Sequence, residues 1–502
     1  MLKHTLLADY IQQKLPEQQI GALYQRLFHC LVEAIRSGVV APNTKLPASR
    51  DLALELKISR NTVLNAYQQL EAQGYIQGFT GRGTWVSPNI PDDYLNAKPT
   101  LANQGPFQQK LAPNLSKRAQ AFLEKVATRP MQWGAFVPGV PDVNEFPHHV
   151  LNKIQARLGQ APDTASLVYS HHGGHEELKK SLCEYLRVAR SVRCEPEQIL
   201  ITEGTHQSID LLSRALCDVG DKVWVEDPGY WVIRNILTMN GLQVHAQSVD
   251  DQGLKPSADA PVPKLIFVTP SHQYPLGSHL SLARRRELLD LARQQQAFIV
   301  EDDYDSEFRF SGQPFPSLQG LEPDAPVIYL GTFSKTIYPG LRMSYMVVPH
   351  ALSAHLKSML DELHRPGHQL MQRALAKFID AGHYVAHIRK MRVLYKKRRQ
   401  YLIGLIERYL GSNMIHPYSL ESGLHLVLHL PMHVDDQKIA EQAYQMGIKV
   451  KALSSYYGAE HETPERGLLL GFASVPEQEM LPAFYRLMHC LKDHIEFCAV
   501  SN

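Results

Sequence analysis

The chain has 502 residues, 44% hydrophobic and 20% charged, with a formal net charge of +2, a globular composition that suits two or three domains and excludes disordered and collagen-like classes. Residues 1–87 hold nine Lys and Arg against six Asp and Glu, leaving about −1 for the remainder, an asymmetry that fits nucleic-acid contact or simply a solvated surface. The six cysteines show no paired C-x-x-C spacing and no run of about 18 apolar residues occurs, so zinc, a disulfide framework and a membrane span are not expected and a cytoplasmic protein is.

The first amphipathic pattern runs from Ala22 to Ser37, where Leu23, Leu27, Leu31 and Ile35 recur every fourth residue before Gly38, which predicts a helix. A second helix is predicted from near Ser49, burying Leu52, Ala53 and Leu56. A third follows Ser59, whose hydroxyl suits an N-cap, and turns Val63, Ala66, Tyr67 and Leu70 inward before Gly74 ends it. Tyr75-Ile76 and Thr84-Trp85-Val86 read as two strands joined by the glycine-rich turn Gly78 to Gly83.

Three helices and a strand pair make a winged helix-turn-helix, and Arg60, Asn61 and Thr62 at the start of the third helix are the side chains that would meet base edges in a major groove. Arg50 and Arg82 are better placed for phosphates. An ordinary helical hairpin with a solvated polar end has the same periodicity. The motifs favour the former: Leu46-Pro47-x-Ser49-Arg50-x-Leu52-Ala53, Ser59-Arg60-x-Thr62-Val63-x-x-Ala66-Tyr67-x-x-Leu70, Gly74-Tyr75-Ile76 and Gly81-x-Gly83-Thr84. Over residues 20–87 this segment resembles the GntR family of bacterial repressors. The resemblance implies binding to a double-stranded DNA operator as a dimer, with Arg50, Ser59, Arg60, Thr62 and Gly83 at DNA-facing positions.

Residues 88–116 hold Pro88, Pro91, Pro99, Pro106 and Pro113 with little periodicity and read as a linker, spanning roughly 30 Å if it behaves as a flexible coil. The expected organisation is a DNA-binding domain over 1–87, a linker over 88–116 and an α/β body over 117–502 in which strands and helices alternate.

In that body five apolar runs end in polar clusters: 198–202 before Glu203-Gly204-Thr205, 222–225 before Glu226-Asp227-Pro228-Gly229-Tyr230, 264–268 before Pro270-Ser271-His272, 297–300 before Glu301-Asp302-Asp303-Tyr304, and 327–330 before Gly331-Thr332-Phe333-Ser334-Lys335. Ligands collect at the carboxyl ends of strands in open α/β sheets, so these clusters should converge. Together they supply what pyridoxal 5'-phosphate needs. Lys335 would condense with the cofactor aldehyde, which requires a neutral amine. Asp302 would pair with the pyridine nitrogen, Tyr304 would bond the ring hydroxyl, and Tyr230 would stack on the ring. Gly204 and Thr205 open a helix whose N-terminus would hold the phosphate, completed by Thr332, Ser334 and Arg342. Singly, each of these is more often a cap or a solvated loop residue; their order at successive strand ends carries the reading.

Residues 120–500 resemble the fold-type I aminotransferases, through Tyr169-x-x-x-Gly173, Gly204-Thr205, Asp227-Pro228-Gly229-Tyr230, Pro275-Leu276-Gly277, Asp302, and Ser334-Lys335 with Arg342. The order of headpiece, linker and body resembles the MocR subfamily of GntR regulators. That resemblance implies a homodimer, with Tyr169 reaching the partner's phosphate site. It also implies departures from an enzyme. An arginine that clamps a substrate carboxylate would stand at Leu469, with Arg466 and Lys451 near but off the position. Tyr274 stands where an asparagine is common, with His272 or Gln273 as stand-ins. His171, His172 and His175 read as a polar loop, and the seven positive residues between Arg389 and Arg399 as a solvated helix face, with DNA contact as the second reading.

The function implied is a DNA-binding regulator whose aminotransferase-like body senses pyridoxal phosphate itself, or an amine or amino-acid effector, and alters operator binding. The alternatives are an active aminotransferase with an autoregulatory headpiece, and a body that only dimerises.

Overall fold

A computed structural model of the chain describes residues 2–15, 21–79, 83–88, 115–125, 133–169, 172–312, 315–420, 422–495 and 497, and two compact units divide it, Met1–Asn114 and Leu115–Asn502. Arg82, His171 and the proposed linker apart from Pro88, Leu115 and Ser116 lie outside the described residues.

The N-terminal unit contains α1 (Leu2–Lys14), α2 (Leu23–Arg36), α3 (Ser49–Glu55), α4 (Arg60–Ala72), β1 (Ile76–Phe79) and β2 (Gly83–Val86). The strands pair antiparallel, Ile76 opposite Val86. Leu27, Leu31 and Ile35 of α2 meet Leu52 and Ala53 of α3 and Val63, Ala66 and Leu70 of α4 in one apolar core. The predicted helices are therefore present. Helix α1 was not foreseen, because its apolar spacing is irregular; it adds Leu7, Ala8 and Ile11 to the same core.

The body begins with α5 (Lys117–Lys125), α6 (His148–Gln160) and α7 (Glu176–Arg190) and continues through β3 (Ile199–Thr202), α8 (Thr205–Leu216), β4 (Lys222–Asp227), α9 (Trp231–Met239), β5 (Gln243–Asp250), β6 (Gly253–Leu254), β7 (Leu265–Val268), α10 (Leu282–Gln295), β8 (Phe298–Asp303), β9 (Val327–Thr332) and β10 (Ser344–Val347). Then follow α11 (His350–Leu363), α12 (Gln369–Asp380), α13 (His383–Tyr409), β11 (His425–Leu430), α14 (Asp436–Gln445), β12 (Lys451–Ala452), β13 (Arg466–Gly471) and α15 (Glu477–Leu491).

Eight strands form one sheet in the order β3-β10-β9-β8-β7-β4-β5-β6. Pairing is parallel from β9 through β5, while β10 runs antiparallel to both β3 and β9. Consequently β3, β4, β7, β8 and β9 all point their carboxyl ends to one edge. The central strands read as unbroken apolar runs because both faces are covered. Successive residues serve opposite cores: Val223, Leu265 and Val300 pack with α8, α9 and α11, while Trp224, Ile266 and Ile299 pack with α10. A second, antiparallel sheet, β11-β13-β12, lies in the C-terminal lobe.

The basic run in α13 is not simply a solvated face. Arg398 and Arg399 are buried, since Arg398 pairs with Asp142 at 2.8 Å and also bonds the Ala473 carbonyl. Lys390 and Lys397 pair with Glu145 and Glu477. Tyr395, Leu402 and Ile406, buried in the body's core, share the helix face on which Arg398 and Arg399 lie. Among the described residues no helix is long and apolar enough to cross a membrane.

Candidate functional site

In the headpiece, Ser59 caps α4: its Oγ accepts from the Thr62 N–H at 3.1 Å and bonds the Thr62 hydroxyl at 2.8 Å. This satisfies one of the N–H groups that a helix start leaves open. Arg50, Ser59, Arg60, Asn61 and Gly83 are exposed and Thr62 is half-buried. Arg60 Nε lies 3.4 Å from Ser49 Oγ, which ties the start of α4 to the start of α3. The segment leading into α3 is tied to α4 as well, since the Tyr67 hydroxyl donates to the Pro47 carbonyl at 3.0 Å. An exposed polar helix start on a rigid core can enter a groove without rearrangement.

In the body, the carboxyl ends of the parallel strands bring Lys335, Asp302, Tyr304 and His272 together. Lys335 follows β9, and its Nζ donates to the Gly139 carbonyl at 2.7 Å. Burial lowers the pKa of this amine, against the opposing charges of Asp305 and Asp302. Asp302 lies at the end of β8 and is 7% exposed. Its Oδ1 is buried and has no hydrogen-bond partner among the described residues. Burial, reinforced by Asp303, pushes its carboxyl up to about 7, and Lys335 opposes the shift. A buried acceptor without a donor is costly, and here it belongs to the carboxylate expected to meet a ring nitrogen.

The next residue faces the opposite side of the strand. Asp303 accepts from Arg190 Nε and from the Tyr329 hydroxyl, each at 2.6 Å, and Arg190 also donates to Ser271 Oγ. Sequence reasoning missed Arg190, which looks like an ordinary basic residue in the last turn of α7.

The anion cradle is built on Gly204, the residue before α8, whose φ of 110° suits glycine. A side chain there would run into the Arg342 guanidinium. Arg342 donates to the Glu203 carbonyl at 2.9 Å, so it lies beside the α8 N-terminus, where Thr205 is the first helical residue. Thr332 Oγ1 accepts from the Ser334 N–H at 3.2 Å and from Ser344 Oγ at 2.9 Å, which shapes the turn that delivers Lys335. Open N–H groups and a guanidinium together favour an oxyanion.

Tyr230 follows β4, with the rings of Tyr274 and His206 edge-on to it at 5.8 and 6.5 Å, and burial pushes its phenol up to about 12. The Tyr304 hydroxyl bonds His272 Nδ1 at 2.8 Å, and the same Nδ1 lies 3.1 Å from Asp305. Tyr169 is 73% exposed, with the Arg365 guanidinium 5.3 Å from its ring centroid, so within this chain it does not join the group. His175 caps α7, with its Nδ1 accepting from the Glu177 N–H.

Leu469 is fully buried on β13, packed with Leu276, Val427, Leu453 and Tyr456. Neither nearby cation stands in for it as a clamp: Arg466 pairs with Asp436 at 3.2 Å, and Lys451 lies 5.8 Å from the Trp231 ring centroid. Tyr274 bonds the Tyr456 hydroxyl at 3.0 Å. The arrangement thus offers a desolvated amine, a buried carboxylate, an aromatic wall and an anion cradle.

Residues 23–86 match the gntR family of bacterial regulatory proteins and residues 141–483 match aminotransferase class I and II. The chain is 35% identical over 460 residues to the "Probable rhizopine catabolism regulatory protein MocR" of Rhizobium meliloti, covering 91% of each. It is 30% identical to the "HTH-type pyridoxine biosynthesis transcriptional regulator PdxR" of Corynebacterium glutamicum, covering 90% of this chain and 92% of that one. Among solved structures, a Pyrococcus horikoshii kynurenine aminotransferase in complex with PMP superposes with a TM-score of 0.65 at 25% identity, covering 77% of this chain and 97% of that one.

Proposed function

The chain belongs to the MocR-type GntR regulators, in which a winged helix-turn-helix is fused to a fold-type I aminotransferase-like body, and on that premise we propose that it controls transcription in response to pyridoxal 5'-phosphate held at Lys335. The single observation that carries the reading is the orphaned, buried Oδ1 of Asp302, electrostatically coupled to Lys335. A protonated pyridine nitrogen would satisfy it.

The residues present fit the group. Gly204, Thr205, Thr332, Ser334 and Arg342 would hold its phosphate, Asp302 its ring nitrogen, Tyr304 its ring hydroxyl and Tyr230 a ring face. Tyr169 would serve the partner's cradle in a homodimer. When bound, the cofactor supplies an aldehyde that a neutral amine can attack and a ring that withdraws electrons. The protein's part is to favour the uncharged form of Lys335 by burial, to exclude water and to fix the ring between Tyr230 and the strand ends.

DNA contact falls to Arg50, Ser59, Arg60, Asn61, Thr62, Arg82 and Gly83. In a dimer the distance between two headpieces sets half-site spacing, so ligand occupancy in the bodies can change operator affinity without touching the DNA face. Pyridoxal phosphate itself is the effector we favour, because Leu469 lies within an apolar cluster and offers no bidentate clamp for an amino-acid carboxylate. The name of the Corynebacterium relative, a pyridoxine biosynthesis regulator, agrees. A titration of the purified protein with pyridoxal phosphate, followed by visible absorbance and by operator binding, tests this. Operator affinity that responds only when an amine is added afterwards would shift the effector to the amine.

A further inference from the structure

We propose that Asp305 and His272 form a positioning pair that turns the Tyr304 hydroxyl outward as a hydrogen-bond donor to a ligand's ring oxygen. The proposal rests on the cofactor reading above for the identity of that oxygen, and it gives Asp305 a role that its sequence context does not suggest.

His272 comes from the loop after β7, and Tyr304 and Asp305 from the loop after β8. His272 Nδ1 lies 3.1 and 3.2 Å from the two Asp305 carboxylate oxygens and 2.8 Å from the Tyr304 hydroxyl. The His272 and Asp305 side chains are 1% and 2% exposed. An ionised carboxylate only accepts hydrogen bonds, so Nδ1 carries the hydrogen in this contact. A nitrogen that bears hydrogen cannot accept from Tyr304. The Tyr304 oxygen is therefore a second acceptor of the same N–H, and its own hydrogen points away from the imidazole. Burial holds the Tyr304 phenol well above its ordinary pKa, which keeps that hydrogen in place.

The ring that does this is held on several sides. It lies tilted against the rings of Tyr304 and His425, with centroids 5.8 and 5.5 Å away. Gly423, at φ 86°, leaves room for it, since any Cβ there would enter the imidazole. His425 donates from Nε2 to the Pro275 carbonyl at 2.9 Å, and burial brings its pKa down to about 4, so it sets no positive charge against His272. His272 Nε2 is buried without a partner among the described residues. All of the ring's polar contact is thus committed through Nδ1.

Two readouts test the pair. The first uses the cofactor-free full-length protein with 15N-labelled histidine, His272 being assigned by its loss in His272→Asn. The expected spectrum has hydrogen on Nδ1 in the wild type and on Nε2 in Asp305→Ala, where Tyr304 becomes the donor to Nδ1. A wild-type His272 with a bare Nδ1 overturns the proposal, whatever the cofactor does. The second is a double-mutant cycle on pyridoxal phosphate affinity. Asp305→Asn should weaken binding about tenfold when Tyr304 is present, the scale of one hydrogen bond, and by less than about twofold in Tyr304→Phe. Fully additive losses contradict it. A wild type that binds no pyridoxal phosphate sinks the cofactor reading, and the tautomer then decides the pair alone.

Discussion

Lys335 Nζ donates to the carbonyl oxygen of Gly139 at 2.7 Å, across 196 positions of sequence, so the segment between α5 and α6 anchors the lysine that follows β9. The contact holds the amine at the carboxyl edge of the sheet, where burial lowers its pKa. On adding pyridoxal phosphate, Lys335→Ala should show no visible absorbance of a lysine-linked chromophore and yield no borohydride-fixed adduct by mass spectrometry. The wild type should yield one adduct per chain, located at Lys335.

Asp302 gives the cofactor-free protein a pH signature. Burial raises its folded pKa to about 7 from the ordinary carboxylate value of 3.8, so the folded state binds the extra proton between these values. The associated stability is full below the lower value and is lost as pH rises through the higher one. Glu226 and Glu307, each raised to about 7 by burial, add loss of the same sign. Melting temperatures from pH 4.5 to 7.5 should therefore fall less steeply in Asp302→Asn than in the wild type. The same substitution should weaken pyridoxal phosphate binding by roughly tenfold or more, because a charged partner for the ring nitrogen is gone.

In the headpiece, substitutions should separate positioning from reading. Ser59→Ala removes the α4 cap and should cost about 1 kcal/mol of headpiece stability, seen in thermal unfolding. Arg60→Ala should cost about 1–3 kcal/mol on the operator and relax its sequence preference. Arg50→Ala should weaken all sequences alike and reduce the salt slope by about 1 in fluorescence-anisotropy titrations.

Much of this was legible in the sequence where one local rule decides the outcome. The Ser59 cap, the α4 face and the five strand ends follow from hydroxyl capping, a 3.6-residue period and apolar runs bounded by polar clusters. What was hidden depends on long-range pairing. Arg190 and Asp303 lie 113 positions apart and meet only where the last residue of α7 reaches the carboxyl end of β8. Asp305 and His272 meet across two strand ends. Helix α1, whose Leu7, Ala8 and Ile11 join the headpiece core, was not foreseen either.

The α13 basic run makes the same point through stability. Arg398 and Asp142 are each 5% exposed and pair at 2.8 Å. Arg398→Met leaves Asp142 buried and unpaired and should cost about 3–5 kcal/mol. Replacing both residues by apolar ones should recover much of that loss in denaturant melts. Equal destabilisation by the single and double substitutions would contradict the pairing.

The most direct test of the account is the affinity of the purified protein for DNA from its own upstream region, titrated with and without pyridoxal phosphate at one fixed salt concentration. The account predicts that the cofactor changes operator affinity in the wild type and leaves Lys335→Ala unchanged. Identical affinities in the wild type with and without cofactor would contradict it.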